Sequence, residues 1–181
     1  MDRWDYYKQA GMLPSTGHDC WLEYPWGEIG AFDSLQDLYD DESGEQQNYE
    51  KSGKWMLYYP LEELDCKWQE ACEQFESRKL LHVHHLRIGT CKTNPLAPPD
   101  KRVLVLFIDS NDPLTIIEAG LSIVKTMKYF TCCFYKTNLQ TKQSQQQGAK
   151  KFLYYIRPEC HNADPEWILH RFFRTSAEAI V

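Results

Sequence analysis

The sequence predicts an α+β domain: a curved antiparallel sheet with helices packed on one face, its elements running β-α-β-β-α-β-β across residues 52–157. Three observations carry this expectation. Leu61, Leu64, Trp68, Cys72 and Phe75 fall at intervals of 3, 4, 4 and 3, which is one stripe on a 3.6-residue period. The segment 102–109 is apolar almost throughout, as a central strand covered on at least one face is. The core also opens on a strand-like run, Gly53-Lys54-Trp55-Met56-Leu57-Tyr58-Tyr59, and closes on another, Phe152-Leu153-Tyr154-Tyr155-Ile156. A sheet of this kind leaves the face away from its helices able to hold a ligand.

Residues 1–50 are aromatic but irregular, and we treat them as an acidic N-terminal segment partly packed on the core domain of residues 51–181. Within that segment, 34–39 offers a short amphipathic turn capped by Asp33 or Ser34, and 40–50 reads as a polar loop. The first core helix starts at Pro60, has Glu62, Glu63 and Asp65 in its positive first turn, and ends at Arg78 and Lys79. A strand over 82–88 follows, then a loop over 90–100 containing Asn94-Pro95 and Pro98-Pro99, then the apolar strand. Asp112-Pro113 is a cap with proline at the first helical position, opening a second helix through Leu114, Ile117, Leu121 and Val124. Strands over 130–137 and 151–157 flank a polar hairpin loop at 138–150, and Asp164-Pro165 opens a last helix that packs back onto the domain. This order fits a ferredoxin-like sandwich with one extra strand, and it fits a larger curved antiparallel sheet; spacing alone leaves both open.

Charge is divided unevenly along the chain. Residues 1–50 hold two basic against twelve acidic residues, while 51–181 hold eighteen against fourteen. No Asp or Glu occurs between Glu118 and Glu159, an interval containing Lys125, Lys128, Lys136, Lys142, Lys150, Lys151 and Arg157. Such a stretch reads either as a solvated basic face or as a phosphate-facing surface. There is no run of 18 apolar residues, so no membrane contact is expected, and residues 1–10 lack the apolar stretch of a secretory signal. Seven cysteines without the spacing of a small secreted domain fit a reduced compartment, cytoplasmic and also nuclear.

Ser52-Gly53-Lys54-Trp55, followed by Asp65 and Trp68 three apart, resembles the basophilic leukaemia-expressed protein family. The strand Val103-Leu104-Val105-Leu106-Phe107-Ile108-Asp109, the pair Glu118-Ala119 and the run Tyr135-Lys136-Thr137 before a hairpin extend that resemblance across roughly 51–157. The family is similar in fold to the messenger-RNA cap-binding translation initiation factor, which implies a curved sheet backed by helices. A cap pocket needs two aromatic planes for a cationic base, a carboxylate for the base edge, and Lys or Arg for phosphates. The resemblance implies Trp21 or Trp26 for one plane and Tyr49 for the second. It implies Glu50 as the base-edge acceptor, and Lys136, Lys142, Lys150, Lys151 and Arg157 for phosphates.

Other chemistry finds little support in the residues. His82 and His84 are placed to share a strand face, but no Cys/His spacing completes a site, so no structural zinc and no cofactor are expected. There is no Gly-x-Ser-x-Gly, no phosphate-cradling glycine loop and no His-Glu-x-x-His, and Asp109 and Asp112 read as turn and cap residues. Cys91 beside Lys92 is a weak candidate for a lowered thiol pKa. The leading expectation is a non-enzymatic binding module for a nucleotide, an RNA 5′ end or another phosphorylated ligand on a basic concave face. No sequence-specific DNA binding is expected. The alternatives are a protein-interaction adaptor docking partners through the N-terminal aromatics, and an enzyme acting on nucleotide phosphates with His82, His84 or Asp109.

Overall fold

The computed structural model describes residues 2–25, 52–95, 97–141 and 152–173. Helix α1 (Arg3–Gln9) and strand β1 (Trp21–Tyr24) precede the core. Strand β2 (Gly53–Pro60) leads through a 3-10 turn at Leu61–Glu63 into α2 (Leu64–Glu76). Then come β3 (Val83–Gly89), β4 (Lys101–Ile108), α3 (Pro113–Thr126), β5 (Cys133–Thr137), β6 (Tyr154–Ile156) and α4 (Pro165–Phe172).

The six strands form one antiparallel sheet in the order β1-β3-β4-β2-β5-β6. Because β4 is antiparallel to both β2 and β3, those two strands are parallel with β4 between them. By the same reasoning β4 and β5 are parallel with β2 between them. Two interleaved split β-α-β units result, and α2 and α3 are their crossovers. The two topologies that spacing left open are therefore nested: the four central strands have the ferredoxin-like order, and β1 and β6 widen it into the larger sheet.

Strand alternation sends Trp55, Leu57, Tyr59, Leu86, Ile88, Leu104, Leu106, Ile108, Cys133, Tyr135, Tyr154 and Ile156 to one face, where they are buried under the helices. The stripe expected on the first core helix is there, with Leu64, Trp68, Ala71 and Cys72 fully buried. Trp55 donates its indole N–H to the Ile116 carbonyl of α3 at 2.9 Å, so this fully buried ring is anchored as well as packed. A Cβ at Gly120 would stand 2.5 Å from both the Trp55 ring and Ile156, so α3 lies this close to the sheet only because position 120 has no side chain. Asp112 caps α3 by accepting from Thr115 N at 2.8 Å, and Asp164 caps α4 by accepting from Trp167 N at 3.1 Å, both as the sequence indicates.

Several boundaries differ from the sequence expectation. The N-terminal segment contributes a helix and a sheet strand where irregular chain was expected. Helix α1 is tied to α2 by Arg3, whose guanidinium meets Glu76 at 2.7 and 2.9 Å, and by Trp4 Nε1 donating to Glu73 at 3.0 Å. Tyr24 of β1 also donates its hydroxyl to Glu76, and Ser15 N donates to Asp65 at 2.8 Å. Pro60 ends a strand, so the regular helix begins at Leu64. The strands expected over 130–137 and 151–157 shorten to Cys133–Thr137 and Tyr154–Ile156. Residues 138–141 form a helical turn, not open loop. Thr137 and Gln140 cause it: each side chain accepts from the other's backbone N–H at 3.0 Å, the reciprocal arrangement of a capping box. The amphipathic turn at 34–39 and the loop at 40–50 lie outside the described residues. No helix among the described residues is long and apolar enough to cross a membrane.

Candidate ligand-binding face

The face opposite the helices carries a different population of side chains. The register places His85, Phe107, Lys54 and Lys136 side by side across β3, β4, β2 and β5. Each is the direct cross-strand neighbour of the next, at the spacing where side chains touch. One step along the strands, Arg87 and Glu23 face each other between β3 and β1. Trp21, one more step along β1, completes the set.

Phe107 is the centre of the arrangement. His85 has its ring centroid 5.4 Å away, while the Lys54 ammonium and the Arg87 guanidinium each lie 5.7 Å from the Phe107 centroid. Both cations are within the range where a ring face attracts positive charge. Arg87 also reaches the Trp21 ring, at 5.8 Å, so this guanidinium bridges the two aromatic groups.

Glu23 is the counter-charge of the β1 side. Its carboxylate pairs with Arg87 and, at 3.0 Å, with His85 Nε2. Burial by itself would raise the Glu23 pKa, but the hydrogen bond from His85 and the charge of Arg87 outweigh it and hold the carboxyl below its usual range. Arg87 Nε is buried with no hydrogen-bond partner among the described residues. A donor left over in a polar site is one an incoming anion can satisfy.

On the β2–β5 side no carboxylate among the described residues plays that part. Lys54 Nζ donates to Asn138 Oδ1 at 3.1 Å, and Asn138 is held by its own contacts to Ser52, at 3.2 Å through Nδ2 and 2.9 Å through its backbone N–H. Desolvation, then the charges of Arg87 and Lys136, bring the Lys54 pKa down to about 7. Burial lowers that of Lys136 in the same direction. Among the described residues, three cations and one histidine thus share a half-buried surface with one carboxylate that is already engaged.

Of the residues singled out in the sequence, Trp21 and Lys136 lie on this face. They are four strands apart, about 19 Å across the sheet and about 13 Å along it. Trp21 is exposed, and its nearest cation is Arg87, not Lys136. Arg157 follows β6 at the other end of the strands from Lys136, where it covers the Tyr155 ring at 5.3 Å and stands 4.0 Å from Glu159. Trp26, Tyr49, Glu50, Lys142, Lys150 and Lys151 lie outside the described residues. Lys54, His85, Arg87 and Phe107 enter the site from segments read as sheet alone, and Glu23 enters it from the segment read as irregular. The available signal was a charge inside an otherwise apolar strand, Lys54 in β2 and Arg87 in β3.

The histidines do not share a strand face as expected. His82 precedes β3 with a positive φ of 62°, and His84 sits at the β-bulge between Val83 and His85 that throws the register by one. His82 instead approaches Glu118 of α3 at 3.5 Å. Among the described residues, no three His, Cys, Asp or Glu side chains are grouped to hold a metal ion. The Cys91 thiol is pushed up, not down, by burial and then by the charge of Asp65.

No family model matches the chain, and no curated protein matches it, so the resemblance to the basophilic leukaemia-expressed family rests on the motifs quoted above. Among solved structures, the chain is similar to Schistosome eIF4E complexed with m7GpppA and 4E-BP, at 15% identity and a TM-score of 0.45, over 59% of this chain and 60% of that one. It is similar to the same factor complexed with m7GpppG and 4E-BP, at 15% identity and a TM-score of 0.45, over 59% of each chain. The chain therefore spans less than two thirds of the length of these structures.

Proposed function

We propose that the protein is a binding module, not a catalyst, and that the face opposite its helices takes an anionic ligand bearing an aromatic ring, of the nucleotide or RNA 5′-end class. The observation that carries this reading is the row His85–Phe107–Lys54–Lys136, continued by Arg87 towards Trp21. Cations interleaved with rings on one surface suit a ligand that is itself phosphate and base. Lys54, Lys136 and the spare N–H of Arg87 supply the phosphate contacts, while Trp21 and Phe107 supply the rings. Glu23 orients Arg87 and His85 and prevents the β1 side from being a bare positive patch.

Intrinsic tryptophan fluorescence, followed during titration with capped and uncapped nucleotides, tests the reading. Quenching that saturates is expected, with Trp21→Phe losing most of the signal change. Lys54→Met should weaken binding about tenfold, the value of one charge-assisted contact. Emission and melting temperature that stay unchanged up to millimolar nucleotide would overturn the proposal.

A further inference from the structure

Lys54 is placed unlike an ordinary surface lysine. Its side chain leaves the middle of the sheet, half-buried, with the Phe107 ring on one side and Lys136 directly across from it on β5. Arg87 and His85 approach from β3, and Asn138 approaches from the turn after β5. Among the described residues no carboxylate pairs with it, since Glu23 is taken up by Arg87 and His85. An amine held by a neutral amide oxygen, partly desolvated and flanked by two cations, is shifted towards its uncharged form, so that near neutral pH a share of it carries a free electron pair while the rest keeps its charge.

We propose that Lys54 is a nucleophilic amine that captures an anionic carbonyl compound, a phosphorylated aldehyde or ketone, as an imine, with Lys136 and Arg87 holding the anionic group. The Nζ electron pair adds to the carbonyl carbon to give a carbinolamine. The C–O bond then breaks, the oxygen leaves as water with the two amine hydrogens, and a C=N bond remains. Nothing is oxidised or reduced. The chemistry uses the same cations as the proposed ligand site, but it requires the carbonyl and not the nucleotide.

The probe is pyridoxal 5′-phosphate added to the full chain, followed by borohydride reduction and peptide mapping by mass spectrometry. The pyridoxyl group is expected mainly on Lys54. Labelling by pyridoxal, which lacks the phosphate, should be about tenfold slower. Lys136→Gln should slow the phosphate-bearing probe by a similar factor and pyridoxal by clearly less, since pyridoxal loses only the neighbouring charge that favours the free amine and not a phosphate contact. Label spread over exposed lysines, or a Lys54 that reacts equally with both probes, overturns the inference. Mapping on the unaltered chain needs no variant to fold. A nucleotide-competition arm separates the two proposals. Labelled Lys54 that excess nucleotide fails to protect sinks the nucleotide reading alone, and saturable nucleotide binding with an unlabelled Lys54 sinks the imine alone.

Discussion

Lys54 also makes its mark on stability. In the unfolded chain its pKa is the ordinary lysine value of about 10.4, and in the folded protein it is about 7. Between those values the unfolded chain binds more protons, so this residue makes stability rise with pH across the window from about 7 to about 10. Lys54→Met should therefore melt higher than the parent at pH 6.5, with the gap closing by pH 9.5; thermal unfolding of both proteins at the two pH values checks this. A gap that is constant with pH, or that widens upward, contradicts the placement of the amine. At this scale the sequence was least legible. Trp21 and Lys136 drew attention as an unassigned ring and a charge in an acid-free interval. The cluster around Phe107 draws on β1, β2, β3, β4 and β5, and only cross-strand register places Glu23, Lys54, Arg87 and Phe107 within reach of one another. No spacing along a single chain encodes that neighbourhood.

Elements were read more surely where a periodic stripe and a cap agreed. Helix α3 follows this rule, its cap hydrogen bond accepted by Asp112; α4 is marked by its cap, Asp164, and α2 by its stripe, since no side chain caps its start. Strand β1 escaped notice because four residues with only Leu22 and Tyr24 facing the core give no usable alternation. The turn at 138–141 escaped because its one glutamine looks like the start of the glutamine-rich run that follows, although Thr137 and Gln140 carry the capping-box spacing. Gly120 shows what a sequence can state without explaining. Mid-helix it costs about 1 kcal/mol against alanine in propensity, yet here it lets α3 settle on Trp55. Gly120→Ala should lower stability by about 1–3 kcal/mol despite the better helix former, because the added methyl overpacks a filled site. Denaturant unfolding reads this directly, and a neutral or stabilising result would show that helix and sheet can separate at no cost.

For the whole molecule, net charge and site charge have opposite signs. The chain carries −6 overall, while among the described residues one sheet face gathers Lys54, Lys136, Arg87 and His85 around a single engaged carboxylate. Under the proposed function, association with a polyanion would be driven locally against a repelling background, and salt would act on it in a measurable way. With three phosphates neutralised on a single strand, the logarithm of the binding constant should fall against the logarithm of salt with a slope of about −2. Titrations of a short single-stranded RNA between about 50 and 200 mM potassium chloride give that slope. A value near zero would mean that the rings bind without the cations. The sheet itself was legible at this scale, because two strand–helix–strand crossovers on one face are what 3.6- and 2-residue periods in this order require.

Strand β1 has a double duty that bears on any shortened version of the chain. Through Glu23 it pairs with Arg87 and His85, and through its backbone it occupies the outer side of β3. Removing the first fifty residues would expose a fresh pairing rim and release a guanidinium and an imidazole at once. Such a fragment would cling to nucleic acids and to itself for reasons the intact protein does not share, and stronger retention on an RNA column would be a symptom of amputation, not a gain in recognition.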